Sequence, residues 1–117
     1  MTEKEVKSIL LKDLKFSQDA IYKLDNFCLE LIEYNKKFNL IGKSTEKDIW
    51  NRHILDSAQL VKFINFHDNL SLSDLGTGAG LPGIVLAIFN RNIKFHVKLY
   101  EKSRVKIKFL SALCEKL

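Results

Sequence analysis

Ten residues, Asp74-Leu-Gly-Thr-Gly-Ala-Gly-Leu-Pro-Gly83, restrict this chain more than any other stretch, because they hold four of its five glycines and its only proline. Glycine reaches backbone conformations closed to other residues and removes the Cβ that would keep a ligand away from the main chain. The run from Leu70 to Leu75 reads as a short strand that ends in these glycines. Ile84 to Phe89 follows as an apolar helix, with Pro82 suited to its first turn. Phe95, Val97 and Leu99 then alternate with His96, Lys98 and Tyr100, a strand pattern. Ser103 to Leu117 places Ile107, Leu110, Leu113, Cys114 and Leu117 at helical spacing. The order β-α-β-α opens a parallel α/β sheet with right-handed crossovers, and such sheets bind ligands at the carboxyl ends of their strands, where this loop lies.

The first 66 residues read as helical. From Ser17 to Leu40 the apolar set Ile21, Leu24, Cys28, Leu31 and Phe38, joined by Phe27, Ile32 and Tyr34, recurs at steps of three and four. Ser17 and Asp19 form a start signal and Gly42 a stop. Val6, Ile9, Leu10 and Leu14 suggest a shorter helix before it. Thr45 and Asp48 have the spacing of a capping box ahead of a further helix with Ile49, His53, Ile54, Ser57, Ala58, Val61 and Ile64 on one face. The chain thus divides into a helical cap, residues 1–66, and the beginning of a sheet domain, residues 67–117.

Composition removes several classes. The start mixes acids, lysines and scattered leucines, unlike a secretory signal, and no apolar run approaches the roughly 20 residues that span a bilayer. A cytoplasmic protein is expected. Cys28 and Cys114 lie far apart without a histidine cluster, so both are expected to be buried free thiols rather than zinc ligands or a disulfide, and no metal is expected. Nineteen Lys and Arg against fourteen Asp and Glu give +5, a surplus compatible with a phosphate-rich partner.

The glycines admit two cofactors. Gly78, Gly80 and Gly83 satisfy the G-x-G-x-x-G of a dinucleotide site, whereas Gly76, Gly78 and Gly80 give the G-x-G-x-G usual in enzymes that use S-adenosylmethionine. Asp74, two residues before the first glycine, leans toward the second. Glu101, at the end of the second strand, would accept ribose hydroxyls in either.

Three blocks carry a family resemblance: Asn35-Lys-Lys-Phe-Asn-Leu40, Arg52-His-Ile-Leu-Asp-Ser57 and Asp74-Leu-Gly-Thr-Gly-Ala-Gly-Leu-Pro-Gly-Ile84. Together, and in this spacing, they resemble the small-subunit (16S) ribosomal RNA methyltransferase G family, also called the glucose-inhibited division protein B family. The fold this implies is α/β, an N-terminal helical cap followed by the start of a Rossmann-like class I S-adenosylmethionine methyltransferase sheet. The implied reaction moves a methyl group from S-adenosylmethionine to N7 of a guanine, guanine 527, in the 16S rRNA of the small ribosomal subunit. Carried over by position, Gly76, Thr77, Gly78, Gly80 and Leu81 would contact the cofactor's amino-acid and sulfonium end, and Glu101, where many members have Asp, its ribose.

For RNA, the candidates are Lys36, Lys37, Lys43, Arg52 and His53, the last two inside the family-like block. His67 and His96 have no partner by spacing. A monomer is expected. Relative to the family, the chain covers the cap and the first third of the sheet, so it is expected to leave an uncovered strand edge and apolar face. Two other readings remain at this stage: a non-catalytic RNA-binding remnant, and a fragment of a nicotinamide-dependent oxidoreductase. On the methyltransferase reading the 117-residue polypeptide alone should bind cofactor weakly and give no methyl transfer to small ribosomal subunits, which a radiolabelled methyl-transfer assay checks.

Overall fold

The computed structural model describes residues 1–117. Helices α1 (Glu3–Lys12), α2 (Gln18–Asn35) and α3 (Lys43–Glu46) come first. A π-helical turn, Trp50–Leu55, then runs into α4 (Asp56–Ala58) and a 3-10 turn, Gln59–Phe63. Strand β1 (Ser71–Leu75), helix α5 (Gly83–Phe89), strand β2 (His96–Tyr100) and helix α6 (Arg104–Lys116) complete the order. The two strands pair in parallel from Ser71 opposite His96 to Leu75 opposite Tyr100. Helices followed by β-α-β-α is the predicted sequence of elements.

Helix starts follow the cap chemistry of the sequence. Thr2, Ser17 and Ser103 each turn a side-chain oxygen onto a backbone amide of the next turn, those of Glu5, Ala20 and Lys106. The apolar stripe of α1 buries Val6 and Leu10 completely, and that of α2 buries Leu24, Phe27 and Leu31. These side chains join Ile54, Val85, Phe109 and Leu113 in one continuous core that draws on the helical segment and the sheet segment alike. Rings reinforce the join: Phe16 stacks at 4.8 Å on Phe89, which meets Phe66 at 5.2 Å, and Phe66 lies 4.9 Å from Phe95. On the other side Tyr34 of α2 lies 4.9 Å from Phe109 of α6. Truncating a fully buried ring such as Phe109 to Ala costs about 3–5 kcal/mol in typical cores.

Four expectations are corrected. Helix α2 ends at Asn35, five residues short of Leu40, because the buried Asn35 side chain takes over the turn. Its Oδ1 accepts from the amides of Leu40 at 2.8 Å and Ile41 at 3.0 Å, while its amide group donates to Glu46. Phe38 is left partly exposed. The capping box does not form: α3 begins at Lys43, so Thr45 lies inside it and its hydroxyl donates back to Gly42 O. One regular helix was expected after Asp48, and instead the backbone passes through π, α and 3-10 geometry in succession. Cys28 is buried but Cys114 is exposed, as is Ile107, because that side of α6 borders an open notch of about 580 Å³ against β2 and α5.

The sheet's faces differ. Leu72, Asp74, Val97 and Leu99 are half-buried on the α5 side, while Ser71, Ser73, Leu75, His96, Lys98 and Tyr100 are exposed on the other. The bare face is mostly polar rather than the expected apolar one, with Leu75, 77% exposed, its one aliphatic side chain.

Asn35 gives a stability test. Asn35→Ala leaves the Leu40 and Ile41 amides without their acceptor in a mostly buried turn, and an unsatisfied buried amide costs about 1–3 kcal/mol. Urea unfolding should show a loss of about 2–4 kcal/mol with an unchanged slope.

Candidate cofactor loop and nucleic-acid interface

The loop after β1 is held by one carboxylate. Asp74 Oδ2 accepts from the Thr77 hydroxyl at 2.6 Å and from the Gly83 amide at 2.9 Å, so a single oxygen fixes both ends of the turn. Gly83 packs where a Cβ would collide with Leu99 and Asp74, which is why α5 approaches β2 so closely. Gly78 sits at φ +62°, a left-handed conformation that points its amide to Glu101 Oε1 at 2.8 Å.

Of the remaining loop amides, only that of Ala79 makes no hydrogen bond within the fold. Those of Gly76 and Thr77 donate to Tyr100 O, and those of Gly80 and Leu81 donate to Thr77 O. By contrast, the carbonyls of Gly76 and Gly78 receive no hydrogen bond. The loop therefore offers these two carbonyl acceptors and a single free donor, the Ala79 amide. Thr77 is buried, its hydroxyl spent on Asp74.

Glu101 sits at the end of β2 as expected, and its Oε2 accepts from Lys102 N at 3.0 Å and Ser103 N at 2.9 Å. The backbone amides of Ser103 and Gly78 hold its carboxyl below the usual carboxylate range. A carboxylate has about four lone-pair directions, and three are taken here, so a ligand hydroxyl gains one directly or displaces Gly78 for a second.

Arg52 and His53 lie on the π-helical turn, and with Asp56, Ser57 and Leu60 they face Leu81 and Pro82 across a notch of about 280 Å³. The structure thus brings Arg52 and His53 to the glycine loop. Lys36 and Lys37 follow the end of α2 and do not line this notch; Lys36 pairs with Glu33 at 3.0 Å. Lys43 opens α3 and makes no ion pair. Burial and the neighbouring Arg52 charge lower the His53 pKa, favouring the neutral ring. Asp56, Ser57 and Pro82 were not singled out from sequence as site residues, although spacings of four residues, Arg52 to Asp56 and His53 to Ser57, place them on the same helix face. No group of His, Cys, Asp or Glu is arranged to hold a metal, and no helix is long and apolar enough to cross a membrane.

The Glu101 latch is pH-dependent in a defined sense. Its folded pKa lies below the ordinary 4.5, so its bonds support the loop above that value and are lost as pH falls through the folded one. Hydrogen exchange at the Gly78 amide, corrected for intrinsic rates, should be protected at neutral pH and lose protection on acidification below 4.5. Glu101→Ala should remove that protection at every pH.

Known proteins share this arrangement of sequence. The family described as rRNA small subunit methyltransferase G matches residues 20–117. A ribosomal RNA small subunit methyltransferase G of Magnetococcus marinus is 49% identical over 89 residues, 75% of this chain and 38% of its own length. That of Pelagibacter ubique is 41% identical over 105 residues, 86% of this chain and 49% of its own length. One from Mycoplasma mycoides is 39% identical over 106 residues, 91% of this chain and 75% of its own length. The chain spans about half the length of most of the curated relatives it matches. On this match, and on the loop and cap that the matched residues build, the chain belongs to the rRNA small subunit methyltransferase G family.

Proposed function

We propose that this chain supplies the cofactor loop and helical cap of an enzyme that transfers a methyl group from S-adenosylmethionine to N7 of a guanine in 16S rRNA. In this reading residues 1–66 are the cap and 67–117 the start of the catalytic sheet, acting in the cytoplasm as a monomer on the small ribosomal subunit. The observation that carries it is the Asp74 carboxylate on the Gly83 amide at the start of α5. A dinucleotide site places its pyrophosphate on free amides at that point of the fold. Here the amide is taken, and a fixed negative charge stands where the pyrophosphate would lie. The free Gly76 and Gly78 carbonyls suit a cationic ligand instead, one bearing an ammonium and a sulfonium.

S-adenosylmethionine supplies an electrophilic methyl on its sulfonium. What the residues of this chain contribute is position. Gly76, Thr77, Gly78, Gly80 and Leu81 shape the cradle for the amino-acid end, with the Gly76 and Gly78 carbonyls as acceptors. Glu101 takes a ribose hydroxyl through its remaining lone pair. Guanine N7 has a lone pair and no proton, so the acceptor needs no general base, and orientation of the two reactants accounts for several kcal/mol of the acceleration. Arg52 on the π turn, and Lys36 and Lys37 after α2, meet phosphates of the RNA, and His53 adds a neutral polar ring beside the loop.

Hydrogen exchange separates the cofactors. Millimolar S-adenosylmethionine should slow exchange across residues 76–81, and equal NAD should leave it unchanged. Gly80→Val, which forces a side chain against Ile84 and Leu110, should abolish the response. Protection by NAD and not by S-adenosylmethionine would sink the methyltransferase reading.

A further inference from the structure

The notch between the π-helical turn and Leu81–Pro82 holds charges of both signs that the fold leaves unused. Arg52 and Asp56 lie one helical turn apart, yet neither makes an ion pair, and Asp56 receives no hydrogen bond from any side chain. Oppositely charged residues at this spacing ordinarily pair with each other. Both are exposed, and both line the notch.

His53 adds a third polar group of defined polarity. Thr45 has one hydroxyl proton and gives it to Gly42 O at 2.9 Å. In the tautomer compatible with that bond, the 2.8 Å contact with the same hydroxyl runs from His53 Nε2–H to threonine. Nδ1 is left with a lone pair and no partner, and it is not sealed from solvent, since no unpartnered side-chain nitrogen or oxygen is buried. The neutral ring is favoured by its burial. Asp56, with two carboxylate oxygens, and His53, with one imidazole nitrogen, thus bring acceptors to a notch whose lining also includes the apolar Leu81 and Pro82. The wall geometry comes from the π turn, and such turns recur at functional sites.

We infer that this solvent-open notch of about 280 Å³ receives the acceptor guanine and reads its N1–H and N2–H₂ edge. Asp56 accepts N1–H and one N2–H, His53 Nδ1 accepts the second N2–H, Pro82 and Leu81 contact the ring face, and Arg52 holds the neighbouring phosphate. Guanine alone among the four bases presents adjacent ring and exocyclic donors that a single carboxylate can accept together. Adenine has no N1–H, cytosine has only its amine, and uracil has only its imide. Holding this edge leaves N7, on the opposite side of the purine, unobstructed. Enzymes that act on extruded bases read the Watson–Crick edge in the same manner. Asp56 is here a specificity-determining residue, and the inference rests on the guanine-acceptor reading above.

The test is fluorescence anisotropy of the 117-residue chain with labelled single-stranded RNA pentamers at fixed salt, identical except for a central guanosine, inosine or adenosine. Guanosine should bind about tenfold tighter than adenosine, one good bidentate contact's discrimination, with inosine, which lacks N2, between them. Asp56→Asn should bring guanosine down to the adenosine level, with adenosine binding and the urea midpoint unchanged. Arg52→Ala should weaken all three equally and flatten the salt dependence. No guanosine preference in the wild type, or a preference that survives Asp56→Asn, overturns the inference. Exchange protection of residues 76–81 by S-adenosylmethionine keeps the two readings apart. Protection without an Asp56-dependent preference rejects only the base pocket, and a preference with protection by NAD instead rejects only the methyl donor.

Discussion

The bonds from Asp74 to Thr77 and Gly83 govern the architecture. They close the turn between β1 and α5, and closing it sets the angle at which α5 lies over the sheet. That angle in turn decides that Val85 and Ile84 meet the cap, and that Leu99 fits over a residue with no side chain. A carboxylate accepting a hydroxyl and a backbone amide is a charge-assisted pair, stronger than neutral hydrogen bonds. Its position in the loop also fixes the electrostatic character of the site, because a helix start already carrying a negative charge turns away anions and tolerates cations.

The cap and sheet are joined by packing rather than by charge. All six ion pairs have at least one member that is well exposed, and such pairs contribute little to stability. The join is made by rings and aliphatic side chains, with Phe16, Phe66, Phe89 and Phe95 at one end and Tyr34 with Phe109 at the other. Two contacts at opposite ends resist rocking of one part against the other. The notch beside Leu81 and Pro82, whose walls come from both parts, gains a fixed width from this.

Much of this was legible in sequence because its signals are local. Alternation in 95–100, helical spacing in 18–35 and 104–116, and the strand-loop-helix context of the glycines each need only neighbouring residues. Family-like blocks likewise marked Arg52 and His53, which the structure does bring to the loop. The misses have one physical origin, since they depend on partners distant in sequence or on which of several donors wins. Asn35 reads as an ordinary helix residue until its oxygen meets Leu40 and Ile41. Thr45 matches a capping box, but the helix that begins earlier claims its hydroxyl. The internal bonds of the Gly76, Thr77 and Gly78 amides do not show in sequence, because Tyr100 O and Glu101 reach them only once β2 lies beside β1. Exposure of Ile107 and Cys114 depends on what covers the second side of α6, which spacing does not contain.

The π turn at Trp50–Leu55 has a consequence for how this segment tolerates change. An α-helix advances about 100° per residue, so one extra residue in a turn shifts the phase of everything after it. Here the shift falls between two apolar sets, Ile49 and Trp50 at its start and Ile54, Leu55 and Ala58 at its end and beyond, and both stay buried. Of the polar residues between them, Arg52 is exposed and His53 half-buried, and both line the notch. Substitutions in this turn are therefore constrained one by one, but insertions and deletions are constrained absolutely: losing a single residue would swing Asp56 and Ser57 by about a quarter turn and bring the apolar set that follows out of register with α5.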